Sequence, residues 1–231
     1  AVKSLMLQSY KADEIILWLS ESQFPEKKLP EKFKYLTDRG LIIRWCDDLR
    51  SHKKYFYALQ EQKSDEVVIT YDDDLIYEKD SIEKLIESHK QYPDCIICNR
   101  GHEIAFDNDG SITEYKNWSI HSSVGVNEPD VRVLPSTGNG CLYPYGIMPP
   151  ITFDWGKAKA NAYSADDIWM RFCSLSKGVK VVKTRETIAI LVNVWGSQKE
   201  RLTQLNDING ENQRVLERLL LLFPDIIKKE G

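Results

Sequence analysis

The sequence predicts one α/β domain of 231 residues: a mostly parallel sheet flanked by helices, passing into a second half of mixed strands and loops. Three observations predict it. Runs of β-branched and aromatic residues alternate with helical patterns through residues 1–100, the rhythm of a parallel sheet with helical crossovers. Helical periodicity then stops from Gly101 to Pro150, where short apolar runs sit among Gly, Pro, Asn and Ser. Within the first of these regimes lies a buried-type run, Val67-Val68-Ile69-Thr70-Tyr71, that ends directly on three aspartates.

Taken in order, Ala1 to Ser9 reads as a helix, and Glu14 to Ser20 (EIILWLS) as a strand. Leu29 to Arg39 is a short helix opened by Pro30. Leu41 to Cys46 (LIIRWC) is the next strand. Ser51 to Gln62 is helical with Ser51 as N-cap, and Glu66 to Tyr71 is a strand. Ser81 to Tyr92 is amphipathic, with Ile82, Leu85, Ile86 and His89 on one face. Asp94 to Asn99 is a strand. Val131 to Leu134 and Cys141 to Tyr143 are short strands in the loop-rich half. Helix returns at Ser164 to Leu175, strand at Val179 to Val182, and a last helix runs from Glu211 to Phe223, ended by Pro224. The change near Gly101 reads as two halves of one domain, 1–100 and 101–231.

Composition excludes several classes. Hydrophobic residues are 42% and charged residues 29%, as in an ordinary soluble protein. With 31 basic and 35 acidic residues the net charge is −4, which carries no nucleic-acid footprint. No apolar run is long enough to span a membrane, and the start carries no signal peptide. The chain therefore reads as cytoplasmic, with room for attachment at the inner face of a membrane. The five cysteines are odd in number and irregularly spaced. Cys95 and Cys98 form a CxxC, but on a strand residues three apart face opposite sides, so they read as core thiols in a reducing compartment.

The chemistry concentrates in acidic residues. Asp72-Asp73-Asp74 follows a strand directly, the place where open α/β sheets bind ligands. Adjacent carboxylates repel unless a cation offsets them, and Mg²⁺ or Mn²⁺ suits oxygen ligands shared with a phosphate. The plain alternative is a solvated acidic turn capping the next helix. A second pair, Asp166-Asp167, opens the helix that Ser164 is placed to cap, where acids also favour the helix dipole. Between them lies Thr137-Gly138-Asn139-Gly140-Cys141, whose glycines permit close backbone approach or an ordinary tight turn. Lys53 and Lys54 sit where a helix N-terminus could meet an anion. The four histidines show no metal spacing. Trp45, Trp118, Trp155 and Trp169 fit core or sugar-stacking roles alike, and Trp195 to Lys199 could form a loop over a diphosphate.

ITYDDDLIY resembles the strand-end DxD motif of GT-A glycosyltransferases, especially family 2-like bacterial enzymes that build cell-surface polysaccharide. ADDIW resembles the acidic pair that opens a late helix in them, and the glycine segment resembles the one that precedes that helix. The resemblance implies a Rossmann-like GT-A fold, a nucleotide-binding half followed by an acceptor half, and an inverting transfer from a nucleotide-sugar, UDP-linked by preference. It implies a carbohydrate or lipid-linked saccharide acceptor. It makes Asp74 the main ligand of Mn²⁺ or Mg²⁺, with Asp72 as a further ligand, and puts Asp72 and Asp73 against ribose or sugar. Asp167 becomes the general base, with Asp166 as runner-up; Lys53 reaches the nucleotide, and Gly138, Asn139 and Gly140 line the donor pocket. Two departures stand out. The chain opens on a helix where the family has its first β-strand, and no histidine follows Asp167 to complete a metal site. Two other readings compete: a Mg²⁺-dependent phosphohydrolase or phosphotransferase with Asp72 as nucleophile, and a non-catalytic nucleotide- or carbohydrate-binding relic.

Overall fold

A computed structural model describes residues 1–186, 192–194 and 210–226. Trp195 to Lys199 lies outside them. The described elements begin with helix α1 (Val2–Met6), strand β1 (Ile15–Ser20), helix α2 (Lys34–Thr37) and strand β2 (Leu41–Cys46). β1 and β2 pair in parallel from Ile15 opposite Leu41 to Ser20 opposite Cys46. Helix α3 (Lys53–Glu61) leads to β3 (Val67–Tyr71) and the short β4 (Leu75–Ile76). Helix α4 (Ser81–Gln91), β5 (Ile96–Cys98) and β6 (Gly101–Glu103) follow. The loop-rich half contributes β7 (Val133–Pro135) and β8 (Asn139–Pro144), then helices α5 (Trp155–Ala162) and α6 (Asp166–Leu175). β9 (Val181–Lys183), β10 (Val192–Asn193) and α7 (Glu211–Leu222) complete the described chain.

The α/β class holds, and the central sheet is mostly but not strictly parallel: β3, β5 and β9 share one direction and β8 is reversed. Its order is β3-β8-β5-β9. β5 and β9 are parallel, whereas β8 runs antiparallel to both β3 and β5. The reason is topological: after the excursion through residues 101–135, β8 returns and inserts between two strands that a helical crossover had left apart. Among the described residues no strand joins the β1–β2 pair to β3.

The sheet separates two apolar clusters. Along β5, Ile96 and Cys98 face the larger one and Ile97 the smaller, the alternation a strand imposes. Cys95 packs with Ile97, opposite Cys98, so the CxxC is a pair of core positions; all five cysteines are free and buried. The larger cluster draws on α3, α6 and α7 together, including Tyr55, Trp169, Phe172, Val215 and Leu219. Each such side chain buried contributes about 1.5–3 kcal/mol. α6 is buried on nearly every side from Ile168 to Leu175. Even its Arg171 is 1% exposed, with guanidinium nitrogens donating to Ser174 Oγ, Val179 O and Val131 O.

Helix termini depart from expectation. α3 is entered through a 3-10 turn, Arg50–His52, and Ser51 is not its cap; His52 holds that position without a side-chain cap bond. Ala165, not Ser164, occupies the N-cap of α6, again with no side-chain cap bond. Helix α5 has no counterpart in the periodicity, because its buried face consists of Ala158 and Ala162, too small to register as an apolar stripe. Its signal was the cap: Asp154 accepts from Lys157 N at 3.0 Å.

Candidate active site

The three aspartates leave the carboxyl end of β3. They do not cap the next helix, since β4 intervenes and Asp80 holds the N-cap of α4. Their position is fixed by a bulge. Thr70 pairs with Cys141 but Tyr71 pairs with Asn139, so Gly140 is an extra residue in β8. Gly140 has φ +92°, and a Cβ there would strike Asn99 Nδ2 and the Tyr71 ring. The bulge turns Gly138 onto Asp72: Asp72 N donates to Gly138 O at 2.9 Å. The Tyr77 hydroxyl shares its proton between Asp72 O at 2.7 Å and Gly138 O at 2.8 Å. A Cβ on Gly138 would collide with all three carboxylate atoms of Asp72. The close approach these glycines allow is thus made first by the chain's own side chains.

The acidic helix arrives from the other side. Thr137 Oγ1 donates to Asp166 Oδ2 at 2.8 Å, while Thr70 Oγ1 donates to Thr137 O at 2.5 Å. Three ties then join the segment Arg50 to Lys54, which leads into α3, to the segment Ala162 to Asp166, which links α5 to α6. Arg50 Nε donates to Tyr163 Oη at 3.2 Å. His52 Nε2 meets Ala162 O at 2.8 Å, its other ring nitrogen meeting Tyr55 Oη at 2.9 Å. Lys54 Nζ lies 2.8 Å from Asp72 Oδ1 and 3.0 Å from Asp166 Oδ2. One ammonium therefore joins the strand-end acids to the helix-start acids. Neighbouring residues on a helix point about 100° apart. Lys54 is the one turned toward the carboxylates; the charge of Lys53, the residue favoured from sequence, acts on the Cys46 thiol.

The acids respond differently. Burial would raise the Asp166 carboxyl, but the Lys54 ammonium beside it holds it well below the usual range. Asp167 is raised, first by burial and then by the negative charge of Asp166. Its Oδ1 accepts from Ile168 N at 2.8 Å. The adjacent pair is thereby split into a member of lowered and a member of raised proton affinity, the division that acid–base chemistry uses. Asp74 is also raised, by burial and then by Asp72 and Asp73, whereas Asp73 is exposed. For Lys54, burial opposes the charge, and Asp166 and Asp72 more than restore it.

The match to known proteins falls on this region. The model of glycosyl transferase family 2 matches residues 1–140 of the 231. The chain belongs to that family. Sugar transfer is therefore its general chemistry, with a nucleotide-sugar donor and a saccharide acceptor. The matched span includes Lys54, the three aspartates and the glycine segment; Asp166 and Asp167 lie beyond it. No curated protein matches the chain.

Members of family 2 commonly use a divalent cation. Among the described residues no group of three or more His, Cys, Asp or Glu side chains forms a cage for a metal ion. What the transferase offers is the Asp72–Asp74 turn, with Asp74 raised by burial and then by the negative charge of Asp72 and Asp73. That donor set fits a hard ion that takes one or two carboxylates and completes its shell from phosphate. Among the described residues, no helix is long and apolar enough to cross a membrane. Sequence reasoning missed Tyr77 and the bridging role of Lys54. Tyr77 stands at the end of the ITYDDDLIY segment, but nothing local tells that its hydroxyl ties Asp72 O to Gly138 O.

Proposed function

We propose that this family 2 transferase performs an inverting, cation-assisted transfer of a sugar from a nucleoside diphosphate sugar, UDP-linked by preference, to a carbohydrate acceptor in polysaccharide synthesis. The observation that carries this reading is Lys54, whose ammonium contacts both Asp72 at the end of β3 and Asp166 at the start of α6. An inverting displacement needs leaving-group stabilisation on one face of the sugar and a base on the other, and the bridge sets Asp167, the neighbour of Asp166, near the strand-end aspartates.

In the proposed reaction Asp167 accepts the proton of the acceptor hydroxyl. That oxygen forms the new bond to the anomeric carbon as the bond to the diphosphate oxygen breaks, and the nucleoside diphosphate departs with the electron pair. The raised Asp167 carboxyl suits a base working near neutral pH. Asp166, ion-paired to Lys54 and hydrogen-bonded to Thr137, orients the helix start rather than moving a proton. Asp74 and Asp72 would hold the cation, whose chemistry is to neutralise charge on the diphosphate. Asp73, exposed at the turn, and the segment Gly138-Asn139-Gly140 would contact the donor's ribose and sugar. The halves 1–100 and 101–231 then serve nucleotide and acceptor.

The test is calorimetric titration of UDP, with and without Mn²⁺, into the wild type and Asp74→Ala. Mn²⁺-dependent binding that disappears in the variant is the expected result. Binding of UDP that ignores both Mn²⁺ and the substitution would overturn the assignment of the cluster.

A further inference from the structure

We propose that Lys54 is a positioning residue that acts as a built-in counter-cation, setting how strongly the Asp72–Asp74 turn attracts a divalent ion while holding the acid of the facing helix in place. The inference rests on the reading of the cleft as a sugar-transfer site, and it goes beyond it by assigning a residue that no motif marks.

The geometry allows few alternatives. The Lys54 ammonium contacts one oxygen from each acidic segment, Asp72 Oδ1 and Asp166 Oδ2. Its side chain is 16% exposed, and that of Asp166 is 9% exposed. Taking a charge out of water is costly unless it is paired. A lysine that served the surface would have no reason to be enclosed there. It lies in the first turn of α3, where a cation opposes the helix dipole, so the two carboxylates must outweigh that as well. The carboxylates in turn are held by other contacts: Asp72 through Gly138 O and Tyr77 at its backbone, Asp166 through Thr137. Lys54 thus joins two parts that are each fixed independently, which is what a spacer between donor and acceptor sides must do.

Two consequences follow. A positive charge beside Asp72 repels a second cation arriving at the same turn. Removing a unit charge a few ångströms from a doubly charged ion, in a water-like dielectric, is worth about a factor of ten in affinity. Removing Asp166 does the reverse, because Lys54 is then committed to Asp72 alone and one negative charge is lost nearby.

The experiment measures Mn²⁺ affinity by electron paramagnetic resonance of free Mn²⁺ at low ionic strength, for wild type, Lys54→Met, Lys54→Arg and Asp166→Asn. UDP titration at saturating Mn²⁺ and melting temperatures accompany each. Lys54→Met is expected to bind Mn²⁺ about tenfold more tightly, Asp166→Asn about threefold or more weakly, and Lys54→Arg within about twofold of wild type. In Lys54→Met, UDP affinity at saturating Mn²⁺ should fall although the metal binds better, a divergence that loss of folding would not produce. Unchanged or weakened Mn²⁺ binding in a folded Lys54→Met protein would overturn the proposal, as would absence of Mn²⁺ binding in every protein. If Lys54→Met does not fold, the contrast between Lys54→Arg and Asp166→Asn decides, and equal affinities in those two overturn it. Wild type that binds Mn²⁺ but never UDP would sink the sugar-transfer reading while leaving the Mn²⁺ comparison intact.

Discussion

Replacing Gly138 by alanine tests the architecture of the cleft with a single methyl group. The new Cβ would occupy the space of Asp72 Cγ and both carboxylate oxygens. Gly138 is not among the positive-φ glycines, so alanine meets no backbone penalty and the cost is steric alone. The Asp72 side chain must rotate away, which breaks its contact with Lys54 at 2.8 Å. A hydrogen bond between charged groups is worth about 1.5–3 kcal/mol. The Asp72 side chain is 41% exposed, so solvent screening brings the expected loss to about 1–2 kcal/mol. For a domain of this size that lowers the melting temperature by roughly 2–8 °C. The effect on ligand binding should exceed the effect on stability, because Asp72 leaves the site while the fold survives. Differential scanning fluorimetry and UDP titration with Mn²⁺ read the two. A double-mutant cycle sharpens the test: in an Asp72→Ala background the obstacle is gone, and Gly138→Ala should then cost about 0.3 kcal/mol or less. Equal losses with and without Asp72, or no change in melting and binding for Gly138→Ala, would refute the reasoning.

Asp167→Asn should reduce sugar transfer by about two to four orders of magnitude while nucleotide binding persists; retained turnover would remove Asp167 as base. A base acts when deprotonated, so activity should rise with pH along a limb above the ordinary aspartate range. Asp166→Asn, by removing the negative charge that helps raise Asp167, should move that limb to lower pH. Stability runs in opposite senses for the two acids. The depressed Asp166 contributes stability above the unfolded aspartate pKa and loses it as pH falls through its own lower value. The raised Asp167 contributes stability below the unfolded pKa and loses it as pH rises through its folded value, so Asp167→Asn should melt higher than wild type at pH 8 and show little difference at pH 4. Arg171→Ala should cost about 3 kcal/mol or more, since Val131 O and Val179 O lose a buried donor, and Arg171→Lys should restore little because it lacks the forked geometry. Thermal melts of both variants decide.

Much of the fold was legible because local physics and tertiary structure agreed. The Ile96-Ile97-Cys98 alternation, the buried Ile82 and Leu85 of α4, and the stop at Pro224 were all written in residue type and spacing. The positions of the acidic segments were legible for a related reason: three successive carboxylates mark where an apolar strand ends, and an acidic pair marks where a helix begins. What failed did so where side chains were small or the decisive partner was distant. Helix α5 hides behind alanines. Antiparallel β8 looks like any short apolar run, and nothing local says which neighbour it will choose.

By itself, then, the sequence determined the α/β class, the strand that carries Asp72 to Asp74 and the helix that Asp166 and Asp167 open, because periodicity and charge repulsion act within a few residues. Only the tertiary structure decided that β8 inserts antiparallel between β3 and β5, that its bulge seats Gly138 on Asp72, and that Lys54 rather than Lys53 faces both acids. Those outcomes depend on contacts between segments 18 to 112 positions apart (Lys54 to Asp72, Lys54 to Asp166), and no local pattern encodes the direction in which a folded neighbour will lie.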